Sequence, residues 1–114
     1  MGFDIDQLIR LWNDPRPAGE AAFRAVYADP VTVNGTKVTI PELATMARDL
    51  HATMRDQSRT VLDQVTHGDR VTVVFTLRGT RAGQPVDLLV IDLLTIADGR
   101  ITDVWAVSQP VPGG

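Results

Sequence analysis

One carboxylate stands in the middle of an apolar strand. In the run Val86-Asp-Leu-Leu-Val-Ile-Asp-Leu-Leu-Thr-Ile96, Asp92 has Leu, Val and Ile for several residues on either side. Burying an ionised carboxylate without a partner is costly, so desolvation among aliphatic side chains raises its pKa and favours the neutral acid near pH 7. A carboxyl tuned in this way can donate a hydrogen bond to a developing oxyanion or exchange a proton with a substrate, which is general acid–base chemistry. The alternative is a structural Asp bonded to a helix end or to a neighbouring strand.

The other groups able to do chemistry are few. There is no Cys, which excludes disulfides, thiol nucleophiles and cysteine metal sites. His51 and His67 have no carboxylate pattern around them, so no metal site and no cofactor are expected. His67 falls in a turn. His51 sits at the rim of a helical apolar stripe, a place for a half-buried or surface imidazole without an evident partner. Asn34 opens an Asn-Gly pair; it is a candidate hydrogen-bond donor at a pocket mouth, and equally the first residue of a tight turn. Trp12 and Tyr27 fall on helical inner stripes. There they are core, or pocket walls able to stack on a flat ligand, the Tyr hydroxyl adding a donor. Met46 and Leu50, on a third such stripe, are core or a pliable wall.

These residues need elements to hold them. Ile5, Leu8, Ile9 and Trp12 follow the i, i+3, i+4, i+7 spacing of an amphipathic helix with Asp4 as N-cap. Residues 13–19 form a Pro- and Gly-rich loop. A second short helix buries Phe23, Val26 and Tyr27 and ends at Asp29-Pro30. Val31 to Val33 is a short strand, Asn34-Gly35 a turn, and Lys37 to Thr39 a brief return strand. Thr39-Ile-Pro-Glu42 has capping-box spacing, with Pro41 tolerated in the first turn. The helix it starts runs to about Arg55. Then the period becomes two: Ser58 to Thr66, a turn at His67-Gly68-Asp69, Arg70 to Thr80, a turn at 81–85, Val86 to Ile96, a turn at Asp98-Gly99, and Ile101 to Val107. Helices first and hairpin-connected strands after them predict an α+β fold. Residues 109–114 are expected to be a frayed tail.

Composition narrows the function classes. The chain has 114 residues, 44% hydrophobic and 22% charged, enough for one domain with a real core. The net charge is −3 and the eleven Lys and Arg are scattered, which argues against nucleic-acid and anionic-membrane partners. No secretion signal or membrane-spanning segment is visible, so a cytoplasmic location is expected.

The order of elements, with Tyr27-Ala-Asp29, Gly68-Asp-Arg-Val71, Gly79-Thr80, Val90-Ile-Asp92, Gly99-Arg-Ile101 and Trp105, resembles the SnoaL-like, or nuclear transport factor 2-like, superfamily over nearly the whole chain. Phe75 through Asp92 is most similar to ketosteroid isomerase, with Phe75, Gly83-Gln-Pro85 and Val90-Ile-Asp92 at matching spacing. The resemblance implies a cone of three N-terminal helices over a curved antiparallel sheet, spanning residues 1–108 and enclosing an apolar pocket. It implies that Asp92 is the catalytic acid. Leu88, Val90 and Leu94 would share its face, Phe75 and Leu77 would line the next strand, and Val104 and Ala106 the last. The isomerase's general-base place holds Asn34 and Gly35, and its helical Tyr falls near Leu11 or Trp12. Val104 and Ala106 stand where many SnoaL-like enzymes carry a polar pair.

Two functions follow as expectations. The first is an acid–base enzyme of isomerase, cyclase or lyase type, acting on a small hydrophobic carbonyl or polycyclic substrate. Asp92 would be its general acid or base, and Trp12, Tyr27 and Asn34 would position the substrate. The second is a non-catalytic ligand-binding or dimeric interaction domain. Trp105 alternates onto the outer sheet face, where the resemblance implies a homodimer contact. Arg78 lies on that face too, within reach of Asp87 or Asp103.

Overall fold

The protein is described from a computed structural model, which covers residues 3–14 and 19–111. Helix α1 (Ile5–Asn13) starts where expected, because Asp4 Oδ1 accepts the Asp6 amide at 2.9 Å and satisfies a donor the helix cannot. Most of the expected 13–19 loop lies outside the described residues. Helix α2 (Gly19–Val26) ends three residues before the anticipated Asp29, and strand β1 (Tyr27–Val33) begins at once. Tyr27 leaves the helix to pair with Ile101 in the sheet, and Asp29, which precedes Pro30, is disfavoured in the helical region in any case. Asn34 and Gly35 both take positive φ, 48° and 85°, and turn the chain into β2 (Thr36–Val38).

Helix α3 (Ile40–Thr53) has the full capping box: Thr39 Oγ1 accepts the Glu42 amide at 3.3 Å and Glu42 Oε1 accepts the Thr39 amide at 3.0 Å. It stops short of Arg55 because the Gln57 side-chain amide donates to the Leu50 and Met54 carbonyls at 3.2 and 3.0 Å, closing the helix end. Strand β3 (Arg55–His67) follows directly, with β4 (Arg70–Arg81), β5 (Gln84–Ala97) and β6 (Arg100–Pro110) as successive hairpins. The sharp α3–β3 reversal packs on Gly79, where an added Cβ would stand 2.8 Å from both the Arg55 carbonyl oxygen and Met54 Cγ. Only a residue without a side chain fits there.

The six strands lie in the order β2-β1-β6-β5-β4-β3. All pairings are antiparallel except β1–β6, which is parallel; the whole of α3 and the meander separate these two strands, a connection long enough for a crossover. β6 runs further than expected. Gln109 and Pro110, assigned above to a tail, pair with Leu89 and Leu88, and the Val111 amide donates to the Asp87 carbonyl at 3.0 Å. Residues 112–114 of that tail lie outside the described residues.

The α+β class is as expected, with three helices laid over the concave side of the sheet. Period-two alternation sends Val71, Val73, Phe75 and Leu77 of β4 inward, with Val90 and Leu94 of β5; on β6 the register shift opposite Thr95 and Ile96 lets both Ile101 and Val104 join them. Leu8, Leu11, Phe23, Val26, Leu43 and Ala47 close over them from the helices. Burial of these apolar side chains is the main favourable term holding the layers together. No helix among the described residues is long and apolar enough to cross a membrane.

Candidate functional site

Between helices and sheet lies a cavity of about 400 Å³ with a mostly aliphatic and aromatic wall, the size and character of a small-molecule site. The sheet supplies its floor. Asp92 on β5 sits between Val73 of β4 and Ala106 of β6, its register partners, so all three side chains emerge on the concave face. This is the placement expected from alternation. The carboxyl is half-buried, and among the described residues it has no hydrogen-bond or ion-pair partner. Burial pushes its pKa up to about 6, and the Arg59 cation limits the rise.

The helices supply the lid. Trp12, near the end of α1, meets Phe23 edge-on at 6.0 Å, and Phe23 stacks against Tyr27 at 6.4 Å. This aromatic packing fixes the indole so that Nε1 donates to Tyr27 Oη at 2.7 Å. The Tyr27 hydroxyl therefore accepts one bond with its lone pair and keeps its own proton to give elsewhere. Burial drives its pKa upward and the negative Asp92 adds to the effect; the Trp12 bond and Arg59 oppose it. Tyr27 is a neutral donor throughout the physiological range.

Arg59 is the site residue that the sequence did not reveal. Its Nη1 donates to the Trp12 carbonyl at 2.8 Å and to Asn13 Oδ1 at 3.2 Å, and its guanidinium carbon stands 5.9 Å from the Trp12 ring centroid. It thus caps the C-terminus of α1, where unpaired carbonyls and the helix dipole favour a cation. Desolvation pulls its pKa down to about 10, with Asp92 and Tyr27 opposing, so it stays charged at neutral pH.

The inward face of Arg59 is set by the β3–β4 register. Near the turn, His67 faces Arg70 and Gln64 faces Val73. Carried on without interruption, that pairing sets Arg59 opposite Arg78, on the outer face. A bulge between Val61 and Asp63 shifts the ladder by one residue, and Arg59 instead faces Leu77 on the concave side. The available signal was a lone Arg in a polar strand, and that has no preferred face.

Of the expected ligand-contacting residues, Trp12, Tyr27, Met46, Leu50, Phe75, Leu77, Leu88, Val90, Val104 and Ala106 all line the cavity with Asp92. Leu94 does not: it is 2% exposed and packed within the core on the same sheet face. Asn34 does not either. Its Oδ1 accepts the Ala106 amide at 2.8 Å and its own amide donates to the Val104 carbonyl at 2.8 Å, so its polar atoms pin the turn to β6. Val33, Leu43, Val73, Arg81 and Ser108 are further lining residues. His51 lies outside this cavity, beside a more polar depression with Arg48, Arg55 and Gln57. It does have a partner: Nε2 stands 2.7 Å from the Trp12 carbonyl, and since that oxygen can only accept, Nε2 carries the proton. Among the described residues no cluster of three His, Asp or Glu is placed to hold a metal ion.

The arrangement is one carboxyl facing one cation and one phenol across an apolar space. It can exchange a proton with a bound molecule at Asp92 and hold oxygen atoms with hydrogen bonds from the far side.

Comparison with known proteins places this geometry in a family. The sequence matches no curated protein. Among solved structures, wild-type IdmH from Streptomyces antibioticus superposes with a TM-score of 0.79 at 21% identity, covering 92% of this chain and 88% of that one. A SnoaL-like polyketide cyclase from Agrobacterium tumefaciens gives 0.81 at 15% identity, covering 96% and 93%. A protein from Catenulispora acidiphila with a ketosteroid isomerase-like fold, in complex with trimethylamine, gives 0.77 at 18% identity, covering 90% and 82%. At these identities the likeness is one of fold. The SnoaL-like domain model matches residues 5–104 of the sequence itself, which is most of its length, and the chain therefore belongs to the SnoaL-like domain family.

Proposed function

We propose that this protein is an acid–base enzyme of isomerase, cyclase or lyase type, acting without a cofactor on a small apolar carbonyl compound. The observation that carries the reading is the Asp92 carboxyl: unpartnered among the described residues, shifted to about 6 by burial, and open to an apolar cavity. A group with that pKa has both protonation states within reach near neutral pH, which suits proton transfer. In the ionised form an Asp92 oxygen takes a proton from the carbon next to the ligand's carbonyl. The C–H electron pair moves into the carbon skeleton and charge develops on the carbonyl oxygen. The enolate then reprotonates at another carbon, closes a ring onto a second carbonyl, or expels a leaving group. The name of the Agrobacterium neighbour, a polyketide cyclase, is in keeping with a substrate rich in carbonyls. The cytoplasmic location belongs to the same proposal.

The test is hydrogen–deuterium exchange in D2O on a panel of apolar ketones with acidic α-hydrogens, 2-tetralone and 2-acetyl-1-tetralone among them. The wild-type protein should accelerate exchange, and Asp92→Asn should lose roughly 100-fold or more of that acceleration. No acceleration by the wild type on any member contradicts the enzymatic reading.

That outcome would favour the second reading, a non-catalytic ligand-binding domain. Its motivation is that Asp92 is the single carboxylate lining the cavity among the described residues. Either function is compatible with a homodimer formed through the outer sheet face. There Leu93 pairs with Trp105 and Ile91 with Val107, and all four side chains are exposed in one chain. An apolar patch of this kind on an exposed sheet face can meet its own copy about a two-fold axis.

A further inference from the structure

We infer that the free edge of the Arg59 guanidinium, with the Tyr27 hydroxyl beside it, anchors an anionic oxygen of the ligand, so that the cavity selects an apolar molecule carrying one planar oxyanion, either a carboxylate or the enolate of a 1,3-dicarbonyl. This deepens the small-molecule reading and depends on the cavity being a ligand site, but not on turnover.

The first support is the division of labour within the guanidinium. Its bonds to Trp12 and Asn13 both come from Nη1. Nε and Nη2, the pair of donors that lie parallel on one edge, have no acceptor among the described residues. That edge has the spacing to hold two oxygens of one planar anion. Capping α1 requires only Nη1, so the helix end alone does not account for the unpaired edge.

The second support is charge. Arg59 lines the cavity, half-buried, and among the described residues no ion pair or hydrogen bond joins it to a carboxylate. Asp92 lines the same cavity and influences Arg59 only across space. A cation held away from water without a contacting counter-charge is a destabilising arrangement, and a bound anion would offset it. The other cation at the cavity, Arg81, is exposed at its rim.

The third support is Tyr27. Its oxygen is occupied by the Trp12 indole N–H, and no acceptor for its own proton is found among the described residues. A buried hydroxyl in that state is a donor waiting for an oxygen. Arg59 and Tyr27 are tied to the same Trp12, one through its carbonyl and the other through its indole, so one side chain sets both donors. With the oxyanion held on this side, the carbon skeleton of the ligand extends toward Asp92.

The test is calorimetric titration of the full chain with two unreactive probes of the same shape, 2-naphthylacetate and 2-naphthylacetamide. At pH 7 the carboxylate should bind about 10- to 100-fold more tightly than the amide. Arg59→Gln should remove that preference by weakening the carboxylate alone, whereas Arg59→Lys should keep part of it. Asp92→Asn should keep that preference or widen it, because it removes a negative charge from the same cavity, and this separates the inference from the acid–base role of Asp92. A purely structural Arg59 would change thermal stability and both affinities together. Equal affinities in the wild type, a preference that survives Arg59→Gln, or binding of neither probe up to millimolar concentration overturns the inference. The wild-type comparison stands even if a variant fails to fold.

Discussion

Asp92 stands between Val73 and Ala106 with no donor among the described residues, and its proton affinity follows from that setting. Its pKa in the folded chain is about 6 against an ordinary 3.8. The folded form thus holds the proton more tightly than the unfolded chain. The associated stability is complete below the ordinary value and is lost as pH rises through about 6. Asp92→Asn cannot ionise, so it should exceed the wild type in stability at pH 8 by roughly 1–3 kcal/mol, and the difference should close by about pH 4. Urea titrations of both proteins across that range measure it, and a gap that does not vary with pH would contradict the buried carboxyl. At this scale Asp92 was legible because a charge inside an aliphatic run violates the pattern around it. Asn34 was ambiguous because Asn serves turns and ligands alike, and its side chain went to the Ala106 amide.

Among the elements, the helices were legible wherever local chemistry decides them. The Asp4 cap and the Thr39–Glu42 box are satisfied within a few residues and form as their spacing dictates. What depends on distant partners was harder to see. The start of β1 at Tyr27 requires a parallel β6, and the inward turn of Arg59 requires the Val61–Asp63 bulge. A strand with polar residues on both faces has no internal mark for its register, whereas β4 and β5 carry theirs in alternation. Gly79 is a further case, since its need for a missing side chain becomes visible only once the α3–β3 reversal is packed on it. Gly79→Ala would press a methyl into the Arg55 carbonyl and Met54, and should cost roughly 1–3 kcal/mol in stability. Thermal denaturation checks this; an unchanged melting temperature would mean that the reversal is looser than described.

For the whole molecule, helices and sheet act as two jaws around one polar triad. The sheet carries Asp92 and Arg59, while the aromatic packing of α1 and α2 carries Trp12 and holds Tyr27 at the start of β1. The fold class was legible because the order of elements and the switch of period leave few topologies open. The proposed dimer contact on the opposite face rests on exposure. Leu93, Trp105 and Val107 are 46%, 55% and 66% exposed, which is costly for a chain that remains alone. Sedimentation should show a dimer at micromolar concentration, and Trp105→Glu should shift it toward monomer without abolishing ligand binding on the concave face. A wild-type monomer throughout that range would contradict the dimer.

If the cavity holds a carboxyl poised for proton transfer, the titration of Asp92 itself must show it. In protein labelled with 13C at aspartate side chains, the carboxyl resonance that disappears in Asp92→Asn should titrate with a midpoint of about 6. A midpoint near the ordinary 3.8 would show a solvated carboxylate and contradict the account.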